Sequence, residues 1–363
     1  MKKALLRHTL GVIFRAGKHT MAIINSQIVV GESWRPELEK AGFNLIYSGK
    51  VRDMFSIPYS GWEDWLLMVA RDSISINDFV LGTPIPRKGE VLTGLTQFWF
   101  TQVLKDFPHH LHPEPTALRD LVRLGAPVPV TRALVVRRLK MEPIEFVFRQ
   151  HLGGSVWKEY EEYGTIAGIH DPKPKLEKWG RLEQAAFTPA TKATDGHDIN
   201  ITRAKCVEII GEEKTAYYED LFRSAYLTAY SYAAARGIVI LDTKFEGGAA
   251  SDGTRMIGDE VLTPDSSRFT DHHSWQLTKV HGSDPQFLDK QFVREWGAKV
   301  ETSWGLGIKP LDPTNPEHVA FVSGVPVPQE VIEETQKRYF EIFRRLTGSS
   351  LDDYQHTHML CYW

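Results

Sequence analysis

The residues best placed for chemistry lie in Leu241-Asp242-Thr243-Lys244-Phe245-Glu246 and, a short stretch later, in Gly258-Asp259-Glu260. Alternate side chains of a strand share a face, so Asp242, Lys244 and Glu246 point one way and Leu241, Thr243 and Phe245 the other. Asp252-Gly253, between the two segments, is a two-residue hairpin signal. With that turn Ser251 pairs with Thr254, and counting outward puts Glu246 opposite Asp259. Facing carboxylates repel unless a cation lies between them. Hard oxygen ligands suit Mg²⁺, which takes one or two carboxylates together with nucleotide phosphates. Lys244, on the same face, would touch those phosphates. Since the pair repels, removing either carboxylate should leave stability unchanged or slightly raised. The alternative is a solvated hairpin with ordinary surface charge.

Five other segments carry candidate groups. Thr263-Pro264-Asp265-Ser266-Ser267-Arg268 is a turn with hydroxyls ready to bond backbone amides, and Arg268 suits a bidentate contact with phosphate or carboxylate. Tyr47-Ser48-Gly49-Lys50-Val51-Arg52-Asp53 is a short glycine-containing loop with two cations, able to lie over a triphosphate. It does not match the Walker pattern. In Arg149-Gln150-His151-Leu152-Gly153-Gly154-Ser155 a strand runs through Gly-Gly-Ser into a helix, a junction whose amides bind anions or are simply capped. Thr191-Lys192 with His197-Asp198 offers a cation and a carboxylate. Lys290 and Arg294 stand four apart on one helix face.

The elements that must hold these groups follow from periodicity and punctuation. Short strands and turns fill residues 43–70, where Trp65 to Ala70 is an apolar run of buried-strand length. A helix is expected over Thr93–Leu104, and strands over Ala133–Leu139 and Ile144–Arg149 with Glu142-Pro143 as their turn. Residues 170–195, rich in Pro, Lys and Asp, read as an exposed loop or lid. The clearest helix is Thr215–Arg236, with Tyr217, Leu221, Ala225, Thr228 and Tyr232 at three- and four-residue spacing and Gly237 as its stop. Ile238–Glu246 and Met256–Val261 read as strands. One helix follows Pro285, and a last one spans about Gln329–Leu346. Strand pairs come first and helices late, so the class is α+β.

Composition bounds the function. The chain has 363 residues, a formal net charge of −3, 42% hydrophobic and 25% charged residues, the profile of a globular protein with a sizeable core. The near-neutral balance argues against a nucleic-acid-coating protein, and no run approaches the ~18 apolar residues of a membrane span. Two cysteines, Cys206 and Cys361, are too few for a disulfide framework, which makes a reducing, cytoplasmic setting the expectation. Residues 1–20 carry Lys2, Lys3, Arg7, Arg15 and Lys18 but no acid. They read as a basic arm; a transit peptide, or an over-long start ahead of Met21, fits the same charge pattern.

In this order the segments resemble one family, phosphoribosylaminoimidazole-succinocarboxamide synthase, also called SAICAR synthetase. The likeness spans about residues 44–300. It rests on Ser48-Gly49-Lys50-Val51-Arg52-Asp53, on Arg149 through Ser155 with Trp157-Lys158-Glu159-Tyr160, and on His197-Asp198. Asp242-Thr243-Lys244-Phe245-Glu246, Asp259 through Arg268 and Asp289-Lys290-Gln291-Phe292-Val293-Arg294 complete it. The resemblance implies a ligase that joins the carboxylate of the imidazole ribonucleotide CAIR to L-aspartate, with ATP and Mg²⁺, in purine biosynthesis. It implies ATP contacts at Ser48, Gly49, Lys50, Arg52, Lys192, Lys244 and Glu246, and Mg²⁺ at Glu246 and Asp259. Arg149, Ser155 and Arg268 would grip the ribonucleotide. Asp198, Lys290 and Arg294 would line the place where the substrates meet, and with Lys244 they form the implied catalytic set. Asp198 is the candidate base.

The implied fold is a β-rich amino-terminal lobe and a larger α+β ATP-binding lobe with carboxy-terminal helices, the nucleotide between them. The corresponding division is 1–24 arm, 25–130 first lobe, 131–283 second lobe and 284–363 helical region, in a monomer or small homo-oligomer. Four departures stand out. The family's Thr-Asp-Arg-x-Ser-Ala-Phe-Asp appears as Arg71-Asp72-Ser73-Ile74-Ser75-Ile76-Asn77-Asp78, and Phe-Glu-Phe-Gly as Phe245-Glu246-Gly247-Gly248. Thr270 replaces an aromatic, and Arg-Gly-Tyr becomes Arg149-Gln150-His151. A ligase of the same fold with another amine or acid, and an inactive nucleotide-binding regulator, are the rival readings.

Overall fold

Each of two antiparallel sheets is built round a strand that is apolar along most of its length. The computed structural model describes residues 34–170, 176–192 and 199–359. In the first sheet β1 (Asn44–Ser48), β2 (Arg52–Ser56), β3 (Trp65–Ala70) and β4 (Ala133–Arg137) follow in that order. β3, WLLMVA, is buried at five of its six positions, as expected of an interior strand covered on both faces. α1 (Trp34–Lys40) and α3 (Ala117–Arg123) pack on one side, where Leu38, Phe55, Leu67, Val69 and Leu121 form a core of their own.

The second sheet is organised by β7 (Ile238–Ala249), which pairs on its length with β5 (Ile144–His151), β9 (Ser267–Asp271) and β8 (Arg255–Gly258). β6 (Arg181–Phe187) extends the sheet beyond β5. α5 (Arg203–Ile210) leads into α6 (Glu212–Ala234), which lies against β7. α6 ends as Gly237 turns the chain at φ +69, a conformation that costs glycine little. Its Tyr226 hydroxyl accepts from Gln150 N at 3.0 Å and donates to Ile240 O at 2.8 Å, fixing helix to sheet. α4 (Ser155–Tyr163), α7 (His272–His281), α8 (Gln291–Gly297), α9 (Pro316–Gly324), α10 (Gln329–Thr347) and α11 (Leu351–His358) complete the chain. α10 and α11 share the main core with α2 (Lys88–Phe98), β5, α6 and β7 through Phe343, Tyr354, Leu95, Phe146, Phe222 and Phe245.

Several sequence expectations are corrected. The helix expected from Thr93 starts at Lys88 and ends in a π-turn, Trp99–Val103. The strands flanking Glu142-Pro143 are not a hairpin: β4 pairs with β3, and β5 with β7. β4 thus carries the first sheet past residue 130. Within 170–195, residues 181–187 are a sheet strand rather than exposed loop. The buried face of α6 is Thr215, Tyr218, Leu221, Phe222, Ala225, Tyr226, Ala229 and Ala233; Leu221 and Ala225 are buried as expected, Tyr217 and Tyr232 only partly, and Thr228 is exposed. Phe287 lies ahead of α8 in an isolated bridge with Thr270. α11 follows Gly348 and was not expected.

Candidate active site

The hairpin closes one residue differently from the sequence expectation. Ala250 N bonds Thr254 O at 2.9 Å and Gly253 N bonds Ala250 O at 2.9 Å, so the loop is Ser251-Asp252-Gly253. Gly253 is left-handed at φ +84, the ending that a three-residue hairpin loop favours. Glu246 therefore faces Gly258, and not Asp259. Strict alternation would then send Asp259 to the far face. The strand has already ended at Gly258, however, and Asp259 adopts φ +56. The Asp259 carboxylate lies in the field of Glu246, Glu260, Arg52 and Lys244.

Around this pair the charges interlock. Glu246 Oε2 lies 2.5 Å from Lys192 Nζ and its Oε1 2.9 Å from Lys244 Nζ; Lys244 also reaches Glu145 at 2.7 Å. Burial works to raise the Glu246 pKa, but the two lysines more than offset it and hold the carboxylate ionised. For Asp259 the balance is reversed. Burial, with Glu246 and Glu260 adding repulsion, outweighs Arg52 and pushes its carboxyl above the ordinary value. Arg52 crosses from the first sheet, with Nε 2.9 Å from Asp259 Oδ1 and Nη1 3.0 Å from Glu260 Oε2. Phe245, on the opposite face, is buried and stacks on Phe222 at 4.9 Å between ring centroids. Among the described residues no three acidic, histidine or cysteine side chains converge on a metal position. Glu246 and Asp259, with Glu145 and Glu260 nearby, offer hard oxygen donors of the kind suited to an ion that completes its shell with phosphate oxygens and water.

Gly49 N bonds Arg52 O at 2.8 Å, which makes residues 49–52 a tight turn between β1 and β2. Lys50 Nζ rests 2.6 Å from Asp78 Oδ1. Ser48 and Lys50 thus stand on the edge of the first sheet, while Arg52 ties that edge to the carboxylate pair.

The second group of candidates collects at the start of α4. Gly154, at φ +64, caps the helix without a side-chain hydrogen bond, leaving amide donors of the first turn for an anion. The Arg268 guanidinium lies beneath it: a Cβ on Gly154 would come 2.8 Å from Arg268 Nη1. Asp242 Oδ2 holds Arg268 Nη1 at 2.5 Å and Arg149 Nη1 at 3.0 Å. Arg149 is buried, with Nε donating to Thr188 Oγ1 at 2.8 Å and Nη1 to Gly153 O at 3.2 Å. Its Nε and Nη1 are thus engaged within the protein, whereas Arg268 is part-exposed. Ser155 opens the helix and is exposed. Lys309, unremarked in the sequence, has its pKa lowered by burial and then by Lys158, Arg294 and Arg268, a crowd of cations that favours an anion.

Lys290 precedes α8 and Arg294 lies within it. Burial, with Arg294 assisting, pushes Lys290 down to about 8 against the pull of Asp265. Asp265 itself is gripped by buried Lys88 at 2.7 Å and by the Tyr339 hydroxyl at 2.6 Å. Asp289 accepts from Phe269 N and Gln291 N, each at 2.8 Å, anchoring the turn that presents Lys290. Lys88 and Tyr339 lie far from Asp265 in sequence, with no local signal to reveal them. His197 and Asp198 lie outside the described residues.

Two departures find explanations. A Cβ on Gly247 would stand 2.5 Å from Tyr218 Cε1 and 3.1 Å from Phe222 Cζ, so aromatic rings from α6 occupy the space the family gives to a side chain here. Gln150 bonds Leu182 O, and His151 contacts Tyr230 Oη at 3.0 Å and Trp179 O at 3.2 Å, so both are structural.

Comparison with known proteins agrees with the sequence motifs. A sequence model of SAICAR synthetase matches residues 45–310. The phosphoribosylaminoimidazole-succinocarboxamide synthase of Chromobacterium violaceum is 42% identical over 308 residues, 84% of this chain and 98% of its own. That of Saccharopolyspora erythraea is 39% identical over 315 residues, 86% of this chain and 97% of its own. The solved SAICAR synthase of Saccharomyces cerevisiae, complexed with SAICAR, superposes with a TM-score of 0.67 at 33% identity, covering 85% of this chain and 96% of that one. Motifs, two-sheet architecture and identity across most of the chain thus lead to one conclusion: the chain belongs to the SAICAR synthetase family.

Proposed function

We infer that this chain is an ATP-dependent carbon–nitrogen ligase that joins L-aspartate to the carboxylate of CAIR, giving SAICAR, ADP and phosphate in purine biosynthesis. The observation that carries the reading is relatedness over 84% of the chain to a protein bearing that name, with Lys244, Glu246, Asp259 and Arg268 present in the motifs that carry the resemblance. A carboxylate resists attack by an amine. Transfer of the terminal phosphoryl group of ATP to a carboxylate oxygen makes an acyl phosphate. The amine of aspartate then attacks the carbonyl carbon, the C–O bond breaks, and phosphate departs as the nitrogen loses a proton.

The chain's residues serve that sequence by placing charge. The turn at Ser48–Arg52 lies over the nucleotide phosphates, with Lys50 drawn from Asp78 to phosphate oxygen. Lys192 and Lys244 neutralise charge on the transferred group, the main catalytic task in phosphoryl transfer. Glu246 and Asp259 would hold Mg²⁺, which supplies further charge neutralisation when bound. Arg268, Ser155 and the first turn of α4 bind the ribonucleotide phosphate, and buried Arg149 keeps Asp242 and the Gly153 carbonyl in place beneath them. Lys290 and Arg294 face the carboxylates of CAIR and aspartate, and Asp198 takes the amine proton. Among the described residues no helix is long and apolar enough to cross a membrane.

The experiment is an assay of the purified chain with CAIR, ATP, Mg²⁺ and a panel of amino acids, with products read by mass. Turnover confined to aspartate supports the reading. Turnover with another amine establishes the divergent-ligase alternative, and nucleotide binding without product establishes the regulator.

A further inference from the structure

Arg71 stands where the family motif has threonine, and the motif's arginine position is held by Ser73. Both side chains turn toward the same backbone. Arg71 Nη2 approaches Ser48 Oγ at 2.5 Å, Gly49 O at 2.6 Å and Asp53 Oδ1 at 2.8 Å. Two residues on, Ser73 Oγ donates to Lys50 O at 2.8 Å. The Arg71 amide itself donates to Val51 O at 2.8 Å. Asp53 is fully buried, with Arg35 on its other carboxylate oxygen at 2.6 Å, so the guanidinium has a fixed anchor from which to grip the turn.

From this geometry we propose that Arg71 is a positioning residue for nucleotide binding: it splints the 48–52 turn in the shape that covers the phosphates. The reasons are physical. A turn carrying Gly49 has little stiffness of its own. Its Ser48 hydroxyl and Gly49 carbonyl both accept from one guanidinium nitrogen, Arg71 Nη2, and Arg35 Nη2 meets the same hydroxyl at 3.1 Å, so only the Gly49 carbonyl depends on Arg71 alone. A splinted turn meets the nucleotide already ordered, which lowers the entropic cost of binding. Arg71 acts through Ser48 and Gly49 without touching substrate. Position 73 addresses the same turn, so an arginine there reaches it from the same side. The proposal rests on the reading of the 48–52 turn as the ATP-covering loop, and the test separates the two.

Steady-state kinetics of Arg71→Thr, of Arg71→Thr with Ser73→Arg, and of Lys50→Ala decide the matter, with melting temperature followed alongside. Arg71→Thr should raise the KM for ATP about tenfold, with KM for CAIR and aspartate within about twofold of the parent and the fold retained. Adding Ser73→Arg should recover most of that loss. An unchanged KM for ATP in Arg71→Thr, an equal rise in all three KM values, or no recovery in the double variant would overturn the proposal. Lys50→Ala tests the underlying reading. If it raises the KM for ATP while Arg71→Thr does not, the loop assignment stands and only the splint fails. If Lys50→Ala also leaves it unchanged, the loop assignment itself has failed.

Discussion

Arg52 Nε lies 2.9 Å from Asp259 Oδ1, joining a strand of the first sheet to the segment that follows β8 of the second. The same guanidinium reaches Glu260 at 3.0 Å. One side chain therefore links the turn proposed to cover the nucleotide to the carboxylate proposed to hold its metal. Arg52 is nearly buried, with 12% of its side chain exposed. Truncation of one partner of such a pair leaves uncompensated charge. Arg52→Ala should lower the unfolding free energy by about 3 kcal/mol and raise the KM for ATP, read by urea denaturation and kinetics. A variant with parental stability would show that the pair contributes nothing to joining the lobes.

Glu246→Ala and Asp259→Ala should each abolish turnover. Their effect on stability differs from the sequence expectation. Relief of repulsion predicts no loss, but Glu246 is the shared partner of Lys192 and Lys244. Its removal leaves both lysines without that acceptor and should cost about 1–3 kcal/mol. Equilibrium unfolding checks the sign: a Glu246→Ala protein more stable than the parent would mean that repulsion governs the site.

Arg268→Ala should raise the KM for the ribonucleotide about ten- to hundredfold, the cost of a lost charge-assisted bond, and leave the KM for ATP nearly unchanged. Equal damage to both would contradict the separation of the α4 phosphate site from the carboxylate pair.

Buried histidines set the acid limit. Burial lowers His151 to about 4 and, with His109 and Arg52 adding to it, His110 to about 3. Both lie below the ordinary value near 6.5, so the unfolded chain takes up their protons first. Stability from these groups is full above pH 6.5 and is lost as pH falls toward 4, at up to about 1.4 kcal/mol per pH unit for each ring. Urea midpoints between pH 7.5 and 4.5 test this, and His151→Gln should make the dependence shallower. A slope unchanged by that substitution would remove His151 from the account.

The alternating face Asp242-Lys244-Glu246 was legible because a strand's period of two is a local property, and the long helix was legible from its spacing and Gly237. The hairpin register was not. Asp252-Gly253 suggests a two-residue turn, whereas Ser251 joins the loop and Glu246 faces Gly258, with Asp259 left-handed just beyond the strand. The face of α6 was read in part: Leu221 and Ala225 are buried as expected, but Tyr217 and Tyr218 are equally apolar, and only packing against Phe146 and Phe222 chooses between them. Arg52 to Asp259 and Lys88 to Asp265 span the chain, and residue spacing carries no trace of such contacts. The segment 181–187 hid as a strand because its charged residues face outward, while Leu182, Ala185 and Phe187 are buried.

The central claim is that the CAIR carboxylate is activated by phosphorylation and then captured by aspartate. It is tested most directly by supplying CAIR labelled with ¹⁸O in that carboxylate and analysing the released phosphate by mass. The account predicts one ¹⁸O atom in each phosphate formed with SAICAR, because the departing oxygen comes from the carboxylate. Phosphate free of ¹⁸O, with SAICAR still produced, would contradict it.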